Sequence, residues 1–172
     1  MGKAWLAVLL LLFSMASQAE VRDPQQYFFD QSLGDFKSDL ATARQEGKTA
    51  ILIMFELDDC PFCHRMKETI LNQSEVQDYY RKHFQILSVD ANGDNPMTDF
   101  VGHDTTGKKF AAENRVRATP VFVFYDLAGK PITRYTGAAK DVNEFLVLGR
   151  YVVDGTYKAM PFAKYKQQLP AK

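Results

Sequence analysis

Residues 49–64 read Thr49-Ala50-Ile51-Leu52-Ile53-Met54-Phe55-Glu56-Leu57-Asp58-Asp59-Cys60-Pro61-Phe62-Cys63-His64. An apolar, β-prone run carries the chain into a short acidic turn, and a Cys-x-x-Cys pair follows where a helix can begin. Pro61 suits the first helical position, because its missing N–H would have no intrahelical partner there. Unpaired N–H groups and the positive end of the helix dipole stabilise an anion at that point. They lower a thiol pKa from about 8.5 toward roughly 3.5–7.5, which makes a nucleophile at neutral pH. Cys63 falls near one turn further on, within reach of Cys60. The spacing marks Cys60 as the attacking thiol and Cys63 as the resolving one. No other cysteine is present.

Other chemistries use cysteines in related patterns. A purely structural cross-link would suit an exported protein, but adjacent-turn cysteines close a short loop, and short loops gain least from closure. Zinc needs about four ligands. His64 adjoins the pair, while His83 and His103 stand at no ligand-like spacing from it, so no metal is expected. Cys60-x-x-Cys63-His64 also matches the attachment pattern of a c-type haem, although here the motif follows a strand. A non-catalytic binding module, its Cys pair stapling the helix start, is the remaining alternative.

The 172 residues, 46% hydrophobic and 13% aromatic, suit one globular domain with a sizeable core. Basic and acidic residues balance at 21 each, without charge runs. Nothing points to nucleic acid or an anionic membrane surface, so disulfide-bearing proteins or small disulfides are the expected partners. No dimerisation arm is evident, and a monomer is expected. Met1 to Ala19 reads as a signal peptide: Lys3 is the positive n-region, Ala4 to Phe13 the apolar core, and Ser17-Gln18-Ala19 a small-x-small cleavage site. The apolar run is short for a membrane span. Residues 20–172 are then one domain with a C-terminal extension, placed in the periplasm, where disulfide exchange is normal.

Phe28, Phe29 and Leu33 read as core contacts on the way in. Phe36, Leu40 and Ala43 give Asp35–Glu46 one apolar helical face, and Gly47 is a natural stop. Thr49–Phe55 is apolar enough for a strand covered on both faces. Past the motif, Cys63, Met66 and Ile70 form a buried stripe with Arg65, Lys67 and Glu68 facing outward, which leaves Cys60 the exposed thiol. Ser74 is the N-cap candidate of a helix to His83, and Phe84–Asp90 reads as a strand.

Asp90–Asn95 resembles a calcium loop but carries Asn95 where glycine belongs and Val101 where glutamate belongs, so it reads as a polar turn. Residues 91–109 form a loop-rich insertion. A helix through Phe110, Ala111 and Ala112 leads to Thr119-Pro120 and the strand Val121–Tyr125, with proline admissible at a strand's head. The Asp126–Lys130 turn and Ile132–Gly137 complete a hairpin. A long helix starts at Lys140 or Asp141, and the aromatic tail from Gly155 is expected to pack or form a short helix.

Strand, Cys-x-x-Cys at a helix start, helix, strand, helix, Thr-Pro, hairpin, helix: this order, over Asp35 to Val153, resembles the thioredoxin fold. The specific marks are Cys60-Pro61-Phe62-Cys63 and Ala118-Thr119-Pro120. The resemblance implies an α/β fold, a central mixed sheet flanked by helices, with the insertion preceding a cis-proline strand. Met54-Phe55-Glu56 before the motif and Arg65-Met66 after it are similar to exported SoxW-type thioredoxins. The family implies a cis Thr119–Pro120 bond, with Thr119, Pro120, Pro61 and Phe62 meeting the substrate. It implies a thiol–disulfide oxidoreductase that needs no cofactor and trades electrons with a membrane-bound donor or acceptor.

The departures are specific. Thioredoxins carry a buried acid where Met54 stands and a tryptophan where Asp59 stands. Glu56, on the same strand face as Met54, is the candidate for proton transfer. Asp58 and Asp59 oppose thiolate formation at Cys60 and protonated His64 favours it, so Asp59 and His64 tune the redox pair. On balance these features favour a reductase, with an oxidase or isomerase as the alternative.

Overall fold

The apolar run forms strand β1 (Ala50–Glu56), and its side chains alternate between two cores. Ala50, Leu52 and Met54 point to one face of the sheet; Ile51, Ile53 and Phe55 point to the other. Both faces are apolar because both are covered. The computed structural model describes residues 20–169, and the expected signal peptide lies outside them. Among the described residues no helix is long and apolar enough to cross a membrane.

Four strands form a mixed sheet of order β2-β1-β5-β6, with β2 at Phe84–Asp90, β5 at Val121–Tyr125 and β6 at Pro131–Thr136. β2 runs parallel to β1, β5 antiparallel to β1, and β6 antiparallel to β5. After a short α1 (Pro24–Tyr27), α2 (Phe36–Gln45) is capped by the Asp35 carboxylate, which accepts from the N–H groups of Lys37 and Ser38. The α2 residues Phe36, Leu40 and Ala43 join Ile51, Ile53 and Phe55 in one core.

The opposite face carries α3 (Pro61–Met66), α4 (Ser74–His83) and α6 (Val142–Val153). Its centre is aromatic: Phe28, Tyr80, Phe122 and Phe145 are each fully buried. The Tyr80 hydroxyl donates to the Phe145 carbonyl at 2.6 Å, so its burial leaves no orphan group. Two short elements close the chain, a 3-10 turn at Thr156–Lys158 and α7 (Phe162–Gln168), and Phe162 and Tyr165 pack on Tyr151. The aromatic tail packs as its composition indicates.

The insertion is more ordered than its composition suggests. Pro96–Thr98 (β3) and Asp104–Thr106 (β4) pair as an antiparallel hairpin ahead of α5 (Gly107–Glu113). Phe100 at the hairpin tip packs on Tyr125 and Phe36, with ring centroids 4.7 and 5.3 Å apart, and so docks the segment on the α2 core. Asp90 spends its carboxylate on the N–H of Asn92, as a polar turn does. In the β5–β6 turn, Asp126 accepts from Ala128 and Lys130, and Gly129 has φ +77° with its Cα against Phe100. A Cβ there would lie 2.6 Å from the Phe100 Cβ, so only glycine fits.

Three local expectations fail. Leu33 is wholly exposed: the chain is held instead by Asp30, whose N–H donates to the Ile86 carbonyl at 2.8 Å and whose carboxylate accepts the Ile86 N–H, and it turns outward beyond that point. Gln73, not Ser74, is the α4 N-cap, because Ser74 already has helical geometry and its N–H donates to the Glu20 carbonyl. Lys67 does not face outward; its side chain is 24% exposed and ion-paired.

Asp39 on α2 is buried and accepts the Ser32 hydroxyl at 2.6 Å. Burial pushes its carboxyl above the usual range, Ser32 pulls it back, and the charges of Asp35 and Asp30 push it up again. A carboxyl that holds its proton more tightly in the folded state loses stability as pH rises above the ordinary Asp range. Asp39→Asn is therefore expected to be more stable than wild type at pH 7 and indistinguishable from it below about pH 4. Urea unfolding across that range checks this, and two parallel stability profiles would refute it.

Candidate active site

The acidic turn delivers Cys60 to the N-cap of α3 in an extended conformation, with Pro61 as the first helical residue. The Cys60 Sγ accepts the N–H of Cys63 at 3.1 Å, while its carbonyl accepts the N–H groups of Cys63 and His64. A backbone donor thus already points at the sulfur that carries charge after reduction. Cys60 and Cys63 form a disulfide, Cα atoms 5.2 Å apart. Cys63 is 1% exposed and Cys60 6%. The expectation of an exposed Cys60 needs correction for the oxidised pair, where both sulfurs are covered and Cys60 keeps the larger opening. Pro61 and Phe62 are exposed beside it, Phe62 at 58%.

His64 Nε2 lies 2.7 Å from the Asp58 carbonyl, across the motif. A carbonyl only accepts, so Nε2 carries the proton and donates. This contact closes the turn that holds Asp58 and Asp59, both of which are solvent-exposed. Covalent attachment of a c-type haem would need both thiols free and the imidazole turned to iron, whereas here the two sulfurs bond to each other and His64 Nε2 donates to the Asp58 carbonyl.

The register of β5 sets the other half of the site. Val121 lies opposite Phe55, so Pro120 and Thr119 arrive at the end of β1 from which the Cys loop departs. The Thr119–Pro120 bond is cis. Pro120 is buried with its carbonyl accepting from Gly137 at 2.8 Å, and Thr119 is half-buried. The thioether of Met66 accepts the N–H of Ala139 at 3.2 Å, tying α3 to the segment after β6. Met54 is fully buried on the face that carries both cysteines. Glu56, two residues on and on the same face, is largely covered rather than solvated: its carboxylate meets Lys67 Nζ at 2.5 Å and accepts the Ser88 hydroxyl.

An oxidisable sulfur pair, a helix-start thiol with a backbone donor and a cis-proline segment at the same sheet end now stand together. Residues 36–152 match the family model of a thioredoxin-like domain. The chain belongs to the thioredoxin-like family. With its Cys60–Cys63 pair, it is a thiol–disulfide oxidoreductase. Solved structures agree on the fold. A thioredoxin-fold protein from Helicobacter pylori is 23% identical, with TM-score 0.60, covering 72% of this chain and 88% of that one. A solution structure from Bacteroides thetaiotaomicron is 22% identical, with TM-score 0.58, covering 80% and 98%. A thioredoxin from Thermus thermophilus is 27% identical, with TM-score 0.55, covering 72% and 88%. No curated protein matches the chain.

Lys67 and Ser88 at this thioredoxin-like site escaped sequence reasoning. Lys67 sits four residues after Cys63, a spacing that places side chains one above the other on a helix, and that signal was available. Ser88 needed the parallel β1–β2 register, which sets it opposite Met54.

Proposed function

We propose that the chain is an exported, SoxW-type reductase of protein disulfides, made as a precursor with residues 1–19 removed and working in the periplasm as a monomer. The observation that carries this is the disulfide-linked pair at a helix start, with the cis Thr119–Pro120 bond at the same end of the sheet. The reduced pair begins the cycle. The Cys60 thiolate attacks one sulfur of a partner disulfide, forming a mixed disulfide and expelling the other sulfur as a thiolate. Cys63 then loses its proton to Glu56 and attacks the Cys60 sulfur, releasing the partner's second sulfur as a thiol. The partner gains two electrons and the pair ends as the disulfide, to be re-reduced by a membrane-bound dithiol donor.

Thr119 and Pro120 position the partner's backbone, and the exposed Pro61 and Phe62 give it an apolar footing. Asp58 and Asp59 raise the cost of the Cys60 thiolate, which favours a reducing pair over a disulfide-forming one. Asp59 and His64 thus tune the pair. Equilibration of the Cys60–Cys63 pair with glutathione, followed by thiol alkylation, tests the direction. A potential near about −270 mV is the expected result; one near about −120 mV would instead describe a disulfide-forming oxidant.

A further inference from the structure

We propose that Arg115, Arg117 and Arg134 form a basic strip that selects partner disulfides flanked by acidic residues; this rests on the reading of Thr119 and Pro120 given above as the segment that positions the partner's backbone. The strip starts at the end of α5. There the Asn114 side chain is committed, its amide donating to the Phe110 carbonyl and its oxygen accepting the Tyr125 hydroxyl. Arg115 follows with φ +53°, its N–H donating to the Ala112 carbonyl. This left-handed position after a helix is ordinarily taken by glycine or asparagine, because a Cβ there crowds the backbone. Arginine adds nothing to such a turn, so its use lies in the side chain.

Val116 packs on the core beneath α2, and the arginines on either side of it are exposed. Arg117 stands two residues before Thr119 and Arg115 four, at most about 7 and 14 Å away along the backbone. Arg134 joins them from β6, opposite Val123, where its Nη1 donates to the Asn114 carbonyl at 3.2 Å. Arg115 and Arg134 line one cleft of about 310 Å³, together with Glu113, Ile132 and Thr133. Among the described residues, Arg22 and Arg81 are ion-paired, but none of these three arginines is.

The charge has a direction. Asp58 and Asp59 are exposed in the turn before Cys60, so the chain enters the redox motif through an acidic segment and enters the cis-proline through a basic one. A partner chain that is acidic within about four residues of its cysteine spans this strip at about 3.3 Å per extended residue. Such a flank is drawn along residues 115–119 and repelled by the Asp58-Asp59 turn. The contacts are exposed, so they raise the rate of productive encounter and weaken with salt.

The test uses reduced protein and disulfide-linked peptide dimers that differ only at the second and fourth residues from the cysteine on one side. One dimer carries aspartate there and the other asparagine; a second pair carries the same change on the opposite side. Acid quench and chromatography give the second-order rate constants. In one of the two orientations the aspartate peptide is expected to react about fivefold faster than its asparagine counterpart at about 20 mM salt, and less than about twofold faster at about 0.5 M. Arg115→Gly, Arg117→Gln and Arg134→Gln are each expected to lower that ratio about twofold. Arg115→Gly is also expected to melt at or above the wild-type temperature, since glycine takes φ +53° without strain; a lowered ratio then reports the lost charge and not a damaged fold. Equal rates for aspartate and asparagine in both orientations, or a ratio that none of the three substitutions moves, overturns the proposal while leaving the oxidoreductase standing. If no peptide is reduced, the proposed reductase function falls and the proposal with it.

Discussion

Cys60→Ser is expected to abolish disulfide exchange, lowering insulin-disulfide reduction by on the order of 10³-fold or more, to the uncatalysed rate. The serine hydroxyl cannot attack sulfur at neutral pH, and the backbone N–H of Cys63 that meets the Cys60 sulfur at 3.1 Å stabilises no nucleophile once the sulfur is gone. Cys63→Ser is expected to act differently. The first attack survives, but nothing resolves the product, so the partner stays covalently bound to Cys60. Mass spectrometry after a single exposure to a disulfide peptide should then show one stable adduct on Cys63→Ser and none on Cys60→Ser. Wild-type turnover by Cys60→Ser would remove the assignment of the nucleophile. An adduct on Cys60→Ser rather than on Cys63→Ser would reverse the two roles.

Phe145→Ala is expected to cost about 3–5 kcal/mol of stability. Phe145 is fully buried on α6 and stacks on Tyr80, centroids 4.5 Å apart and planes 5° from parallel. Its ring also meets Phe122 at 5.1 Å and Phe28 at 6.2 Å, so removing it opens a void bounded by three further buried rings. Rigid rings from the sheet, α4 and the N-terminal segment cannot close that void, which places the cost toward the upper end of the range. The urea midpoint should fall with the slope unchanged, and the melting temperature should drop by about 10 °C or more. Phe62→Ala, at a ring 58% exposed beside the motif, provides the contrast and is expected to shift stability by about 0.5 kcal/mol or less. Equal losses from the two substitutions would show that the aromatic centre does not carry the fold.

Much of this architecture is legible in the chain because its causes are local. The alternation of Leu52 and Met54 against Ile51, Ile53 and Phe55 requires a strand covered on both faces, and both cores are found where that pattern puts them. Asp35 caps α2 and Asp141 caps α6, each by accepting the N–H groups that a helix start leaves unpaired. Leu33 shows the limit. An apolar residue near two buried phenylalanines reads as core, but its fate depends on where Asp30 binds Ile86, a contact between residues 56 positions apart. Residues 91–109 carry turn formers and little periodicity, and the β3–β4 hairpin owes its order to Phe100 meeting Tyr125 and Phe36.

The site divides along the same line. The residues from Cys60 to His64 by themselves determined that a helix begins at Pro61, with one thiol at its start and the second one turn inside, because proline, capping and helical spacing act within a few residues. Only the tertiary structure decided which groups attend those thiols. The β1–β5 register brings Thr119 and Pro120 to the end of β1, and the turn that follows α3 and the neighbouring strand β2 bring Lys67 and Ser88 to Glu56. Sequence spacing sets which residues share a face, whereas the partners of a carboxylate at a strand's end are chosen by chain segments that meet only when the sheet assembles.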